Sequence, residues 1–476
     1  MPVTARYRPS PRHATLGEGF FDVVRPARFP LETPRFWNER WAARVGLGDL
    51  SPEERAAGFC KFRPLPDNLS EPLALRYHGH QFGVYNPMLG DGRGFLFAQL
   101  VDPAGRLLDL ATKGSGTTPW SRDGDGRLTL KGGVREALAT EMLEALGVST
   151  SKTFALFETG ERLFRGDEPS PTRSCVLTRL GHSHVRFGSF QRFAYLGEHD
   201  RLKRLFEYAV DTYAPEVREQ SGDPVVTFLR VVAERSARLA ASWIAAGFAH
   251  GVLNTDNMNI TGESFDYGPY RFVPEYDPEF VAAYFDQTGL YAFGKQPRVV
   301  VWNLTRLADA LRPLSPSAPF GDALRAYEPA FFRALADRVL YRLGLAPVDP
   351  DLDAALCEGV LGFLADARAP LDRFYFDWYG GLASEARAMA SPSRAHYEGP
   401  FGAELTKALE RHAPIDPARV HHPYFARTEP VTLIIDEIER LWDRIADADD
   451  WSLFEQKIAA IRELGDALRG GPFVDV

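Results

Sequence analysis

The chain has 476 residues, 45% of them apolar and 25% charged, which is the make-up of a globular protein with a sizeable core and excludes a disordered or fibrous one. A formal net charge of −9 argues against a dedicated nucleic-acid binder, because phosphate contacts need a concentrated basic surface, but it leaves room for a local basic pocket. Cys60, Cys175 and Cys357 are too few for a disulfide framework, no Cys/His cluster has zinc spacing, and no apolar run approaches a membrane span, so a reducing, cytoplasmic setting is expected.

At the start of the chain Arg6, Arg8 and Arg12, with no acid before Glu18, have the composition of an organellar transit peptide. Pro2, Pro9 and Pro11 break an amphipathic helix there, so a loose cytoplasmic tail is expected instead. Residues 1–70 mix short helical patterns with prolines and read as an extension packed on the main body. Apolar runs at Phe95–Leu100 and Leu107–Thr112 flank the turn Asp102-Pro103-Ala104-Gly105 and predict a β-hairpin. Val134, Leu138, Met142 and Ala145 recur at helical spacing up to Gly147, predicting a helix over 134–146. A strand pair is expected at 153–157 and 161–164, and a further strand at 174–178.

Beyond Phe187 the pattern turns helical. Its strongest helix is expected over 225–246, with Phe228, Val232, Leu239 and Trp243 on one face. Amphipathic, charged patterns at 431–446 and 451–468 predict a peripheral helical layer. The whole reads as α+β, in a bilobal protein-kinase-like arrangement. Residues 71–170 form its β-rich N-lobe, 171–390 a helical C-lobe with catalytic and metal-binding loops, and 391–476 a helical C-terminal extension.

The residues that carry chemistry start at 250–268, HGVLNTDNMNITGESFDYG, directly after the strongest helix. Asp256 and Asn257 are adjacent, and Asp266 opens an Asp-Tyr-Gly triplet. Phosphoryl or nucleotidyl transfer needs hard oxygen ligands for magnesium and a carboxylate near the attacking hydroxyl, and kinase-like enzymes supply them from two such loops. Taken alone, Asn254, Asp256 and Asn257 read equally as turn formers; Asp266 at the right distance favours the site. Lys113 ends a predicted strand and Glu136 falls in the first turn of the following helix, the order of a phosphate-orienting lysine and its glutamate partner. Separately, each also reads as a surface charge or a dipole-favoured acid. The glycine-rich stretch 89–94, with Gly90, Gly92 and Arg93, allows backbone amides to approach phosphates, although most such stretches are turns. A second glycine-rich, charged loop covers 113–127 and includes Asp125 and Gly126, and Arg179 and Arg186 flank Gly181-His182-Ser183-His184. Those arginines fit surface ion pairs or a phosphate clamp.

Tyr77-His78-Gly79-His80-Gln81-Phe82-Gly83, Leu89-Gly90-Asp91-Gly92-Arg93, Lys113-Gly114-Ser115-Gly116, Ser121-Arg122 and Asp125-Gly126-Arg127 together resemble the selenoprotein O family. So do Arg135-Glu136, Arg179, His184-Val185-Arg186-Phe187-Gly188, Asn254-Thr255-Asp256-Asn257-Met258 and Asp266-Tyr267-Gly268-Pro269, and the resemblance runs from about residue 70 to 310. It implies a kinase-like fold that binds ATP in a flipped orientation and transfers AMP to Ser, Thr or Tyr hydroxyls of other proteins, releasing pyrophosphate. By the same resemblance Gly90, Gly92 and Arg93 line the nucleotide site, Lys113 meets the phosphates with Glu136 as its partner, and Asp125 and Gly126 belong to a closing loop. Arg179 and Arg186 hold the terminal phosphates, Asn257 and Asp266 ligate Mg2+ (or Mn2+), and Asp256 is the general base.

Two departures stand out. The family often carries a selenocysteine or cysteine near its C-terminus, whereas Gly470-Gly471-Pro472-Phe473-Val474-Asp475-Val476 has no thiol, and Phe280-Val281-Ala282-Ala283 has alanine where a partner cysteine is often found. Regulation by thiol oxidation is therefore not expected. Two other readings stay open: a phosphotransferase of ordinary ATP polarity, and a non-catalytic nucleotide-binding scaffold, which has no need of metal ligands and base together. Protein substrates are the expected partners, without nucleic acid or membrane; the oligomeric state is left open.

Overall fold

The computed structural model describes residues 3–166 and 168–469. Pro2 and the thiol-free end at 470–476 lie outside the described residues. The chain opens with strands β1 (Phe21–Val23) and β2 (Thr33–Trp37), then helices α1 (Glu39–Arg44) and α2 (Pro52–Phe59). Next come β3 (Leu73–Leu75), a small hairpin of β4 (Gly79–Gln81) and β5 (Val84–Asn86), β6 (Leu96–Val101), β7 (Leu107–Lys113) and β8 (Leu128–Thr129). Helix α3 (Leu130–Ala145) and the long strands β9 (Lys152–Leu163) and β10 (Thr172–Gly181) complete this part.

The strands form one antiparallel sheet in the order β1-β3-β6-β7-β10-β9-β2, with β8 also paired to β10. Its side chains alternate between two cores, as the period of two in a strand requires. Leu108, Leu110, Phe157 and Val176 meet Trp41, Phe59 and Phe62 from the N-terminal segment. Leu107, Leu156 and Leu177 belong to the larger core that includes Val134, Leu138 and Met142 of α3.

Three expectations change. The start of the chain is not a loose tail: Tyr7 Oη donates to the Pro66 carbonyl at 2.7 Å, Pro9 bridges to Leu100, and the buried His13 takes Gln99 Oε1 onto its backbone N–H at 2.7 Å. Prolines that forbid a helix suit an extended strap along β6, which needs few backbone donors. The pair expected at 153–164 is one strand, β9. The Glu158-Thr159-Gly160-Glu161 stretch that reads as a turn is a bulge, with Gly160 at φ +77° and the register against β10 shifting there. Finally, α3 starts four residues early, capped by Thr129 Oγ1 accepting the Gly132 N–H, which puts Glu136 in its second turn.

The rest is helical: α4 (Phe187–Tyr195), α5 (His199–Tyr213) and α6 (Pro224–Ala245), then the two-stranded β11 (Phe248–Ala249) and β12 (Arg271–Phe272). They are followed by α7 (Gln296–Leu311), α8 (Phe320–Arg325), α9 (Tyr327–Leu343), α10 (Pro350–Ala367), α11 (Leu371–Asp377), α12 (Glu385–Ala390), α13 (Arg394–Tyr397), α14 (Pro400–Leu409), α15 (Ile435–Ala448) and α16 (Ser452–Arg469). Helix α6 is the centre of this part, packed on α7, α8 and α9. Asp223 caps it through the Val225 N–H at 2.8 Å and Pro224 sits at its first position. Helix α16 returns to the sheet side and lies along α3. A Cβ on Gly465 would sit 3.3 Å from Ala145, and Arg462 makes a two-pronged ion pair with Glu141 at 2.8 and 3.0 Å. No helix among the described residues is long and apolar enough to cross a membrane.

Candidate active site

Between the sheet and the helices lies a cleft of about 690 Å³. Gly90, Gly92, Arg93, Lys113, Asp125, Gly126 and Arg179 line it from the sheet side, and Arg186, Asp256, Asn257 and Asp266 from the other. Glu136 stands behind Lys113, buried in α3.

The floor of the cleft is a charge cluster built by three elements. Strand β7 delivers Lys113, whose Nζ is 2.5 Å from Glu136 Oε2 and 3.6 Å from Asp266 Oδ1. Strand β10, paired to β7, delivers Arg179, 2.8 Å from Asp266 Oδ1 and 3.8 Å from Glu136 Oε1. Arg186, at the N-terminal edge of α4, reaches Asp266 Oδ2 at 3.1 Å and donates to the Asp256 carbonyl at 2.9 Å. Burial alone raises a carboxyl pKa, but Arg179, Lys113 and Arg186 overcome it and hold Asp266 well below the usual carboxylate range. Asp266 has φ +66°, a conformation that Asp tolerates better than most residues.

Asp256 and Asn257 lie on a short turn, Thr255–Asn257, inside the loop that β11 and β12 close at its base. Burial pushes the Asp256 carboxyl up to about 6, with Arg186 opposing, so the anion dominates at neutral pH while remaining a usable proton acceptor. Its Oδ1 is buried without a hydrogen-bond partner. Asn257 Nδ2 donates to the Val252 carbonyl at 2.9 Å, which leaves its amide oxygen for another partner.

Among the described residues no three His, Cys, Asp or Glu side chains form a metal cage. An orphaned buried carboxylate oxygen, an amide oxygen and the Asp266 carboxylate are all hard donors, and one or two carboxylates completed by substrate phosphates is a magnesium-type set. The residues fit a divalent cation of that kind.

The glycine-rich stretch lines the cleft and meets the second glycine-rich loop. A Cβ on Gly90 would collide with the Trp120 ring at 2.4 Å, and one on Gly92 with the Trp120 carbonyl at 2.8 Å, so the bare α-carbons admit the 113–127 loop. Gly126, at φ +69°, packs against Gly116 in that loop, and Asp125 sits at the rim, 2.9 Å from Arg165. Arg93 is exposed at the cleft mouth. Sequence reasoning assigned no role to Asp91, which accepts from Arg186 at 3.3 Å, or to Tyr77, whose ring lies 4.3 Å under the Arg186 guanidinium. It also missed Asp109, which takes the His184 N–H at 2.9 Å, while His184 Nε2 meets Arg179 at 3.1 Å. Asp91 sat inside a quoted motif; Asp109, in an apolar strand, carried only its oddity as a signal.

A sequence profile described as protein adenylyltransferase SelO matches residues 3–462. The chain belongs to the SelO family of protein adenylyltransferases. It is similar to the protein nucleotidyltransferase YdiU of Synechocystis sp., at 43% identity over 469 residues, covering 95% of this chain and 97% of the relative. The YdiU of Gloeobacter violaceus is 41% identical over 464 residues (95% and 94% covered), and that of Vibrio cholerae 40% over 367 (77% and 73%). As a SelO-family member the chain is a protein nucleotidyltransferase, an activity that takes a nucleotide and, as a rule, a divalent metal. The match extends well beyond the 70–310 stretch that carried the resemblance.

Proposed function

We propose that this chain transfers AMP from ATP to Ser, Thr or Tyr hydroxyls of protein substrates in the cytoplasm, with Mg2+ (or Mn2+) held by Asn257 and Asp266. The observation that carries this reading is the convergence of Lys113, Arg179 and Arg186 on one carboxylate, Asp266, at 3.6, 2.8 and 3.1 Å. A lysine paired to a helix glutamate is enough to orient phosphates for ordinary phosphoryl transfer. Two further buried guanidiniums suit a site that must also hold a departing pyrophosphate, whose charge grows as the bond to the α-phosphorus breaks. In this reading the acceptor hydroxyl oxygen bonds to the α-phosphorus, Asp256 takes its proton, and the β- and γ-phosphates leave on Arg179 and Arg186. A bound cation supplies charge neutralisation at the phosphates. Gly90, Gly92 and Arg93 line the nucleotide, and Asp125 and Gly126 belong to the loop over it.

The fold is proposed to be protein-kinase-like and bilobal. The boundaries 71–170, 171–390 and 391–476 are kept with one adjustment: β10 is paired to β7 and β9, so the first lobe is drawn through Gly181 and includes β1 and β2 as sheet edges. The test is to incubate the purified protein with an acceptor and ATP labelled on either the α- or the γ-phosphate. Protein-bound α label with equimolar pyrophosphate is expected. Protein-bound γ label alone points to an ordinary phosphotransferase, and no transfer of either to a scaffold.

A further inference from the structure

The hairpin β4–β5 stands apart from the main sheet and lies against the loop that carries Asp256. His80 N–H donates to Thr255 Oγ1 at 2.7 Å, Phe82 N–H to Asn254 Oδ1 at 3.2 Å, and a Cβ on Gly79 would sit 3.3 Å from Asp256 Oδ1. The hairpin turns through two residues, Phe82 and Gly83, with φ of +49° and +80°. Such a turn is ordinarily built from Asn-Gly, because both positions are left-handed, and a bulky aromatic at the first is an outlier that costs stability. The Phe82 ring leans on the buried Tyr291 at 5.0 Å and its N–H also lies 3.2 Å from Tyr291 Oη, yet the side chain stays 41% exposed. Strain of this kind, borne by an exposed residue beside a catalytic loop, points to function.

The Phe82 ring begins an apolar strip. Phe285, 45% exposed, packs on it edge-on at 6.0 Å, and Tyr284, 78% exposed, lies 5.1 Å from Phe285. Val84, 70% exposed, stands on the same hairpin, paired with Gln81. Gln81, next to Phe82 on the hairpin, lines the cleft, and exposed apolar side chains that adjoin one another mark a contact site. Continuity with the reacting groups selects the occupant. In the adenylyl reading the acceptor hydroxyl comes to Asp256, and the hairpin that carries the strip is hydrogen-bonded to the Asp256 loop through His80 and Phe82, which puts the strip beside the path of the chain leading to the hydroxyl.

We propose that Phe82, Val84, Tyr284 and Phe285 form the docking surface for an extended segment of the protein substrate and hold an apolar residue of that segment beside the acceptor hydroxyl. The proposal rests on the protein-acceptor reading above and adds which surface recognises the acceptor and by what chemistry.

The probe is a library of soluble decapeptides with a central Ser, Thr or Tyr and one varied flanking position, incubated with the full chain, Mg2+ and ATP labelled at the α- or, separately, the γ-phosphate. Labelling is expected to favour peptides with Phe, Leu or Met at a flank. Phe285→Ser is expected to lower kcat/KM for those peptides about tenfold, through KM, with the affinity for ATP unchanged. Phe82→Asn gives the turn the residue it prefers while giving up the ring contact with Tyr291, so its melting temperature should stay close to the wild type's while peptide labelling falls, a combination that misfolding cannot produce. Indifference to the flanking residue, wild-type kcat/KM in both variants, or labelling of no peptide while intact proteins are labelled would each overturn the proposal. So would dimers in sedimentation that Phe285→Ser dissolves, since a second copy would then cover the strip. Transfer of γ label with the flank preference intact would overturn the adenylyl reading alone.

Discussion

Asp266 faces three cations at once, and its removal therefore does more than delete one carboxylate of the cleft. Lys113, Arg179 and Arg186 are all buried around it, and stripping one partner from a buried charge cluster costs about 3–5 kcal/mol, with the low end applying in a cleft open to water. Asp266→Ala is expected to abolish transfer and also to lower the melting temperature, whereas Asp266→Asn, which keeps the shape, should lose activity with a smaller loss of stability. Near-wild-type turnover of either variant with magnesium would remove Asp266 from the site. Arg186 is a second test at this scale. Its guanidinium serves Asp266, Asp91 and the Asp256 carbonyl together and sits 4.3 Å from the Tyr77 ring centroid, a set of contacts an ammonium cannot reproduce. Losing one charge-assisted contact is worth about 1.5–3 kcal/mol, so Arg186→Lys should slow transfer by roughly one to two powers of ten. These residues were legible in sequence because each sits at a strand end, a helix turn or a loop with a recognisable neighbour. Asp91 and Asp109 were not, because what they do depends on Arg186 and His184 opposite them, and no local pattern encodes an opposing side chain.

The segment that leads into Asp266 has its own titration. Glu263 accepts the His182 N–H at 2.8 Å, and burial pushes its carboxyl up to about 7, with Lys152 opposing. The folded chain thus holds this proton more tightly than the unfolded chain, whose carboxyl titrates near 4.5. Its contribution to stability is greatest below that value and is lost as pH rises through about 7. Glu263→Gln keeps an acceptor for His182 and removes the titration. Its melting temperature should therefore gain on the wild type between pH 5 and pH 8; a difference that does not change with pH would disprove the assignment. At this scale the periodic elements were readable: β7 and α6 lie within a residue or so of where apolar spacing puts them. Strand β9 was misread because a glycine at positive φ looks the same in sequence whether it ends a strand or bulges one. The start of α3 was missed because Leu130-Lys131-Gly132-Gly133 is a poor helix former, held in place by its Thr129 cap and by Gly133 fitting under Cys175 and Leu156.

The whole molecule keeps its three thiols buried and apart. Burial pushes Cys60 and Cys357 up to about 12 and Cys175 further still, so almost no thiolate is present at neutral pH, and the thiolate is the reactive form. Transfer rates should be the same with and without dithiothreitol; reversible activation by reductant would show that one of these cysteines is exposed during turnover. The N-terminal strap and both sheet-edge strands were hidden in sequence, since short strands take their register from the sheet they join rather than from their own residues.

Helix α16 sets an order on how the site comes into being. It grips α3, the helix that carries Glu136, through Arg462 on Glu141, and those two residues are 321 positions apart. Translation at roughly 5–20 residues per second separates their synthesis by on the order of half a minute. For that interval Lys113 and Glu136 have been synthesised while this brace has not. The α16 brace on the helix that carries Glu136 is therefore the last of its supports to be made, while the contacts of α3 with β9, β10 and Arg40 involve residues synthesised long before it.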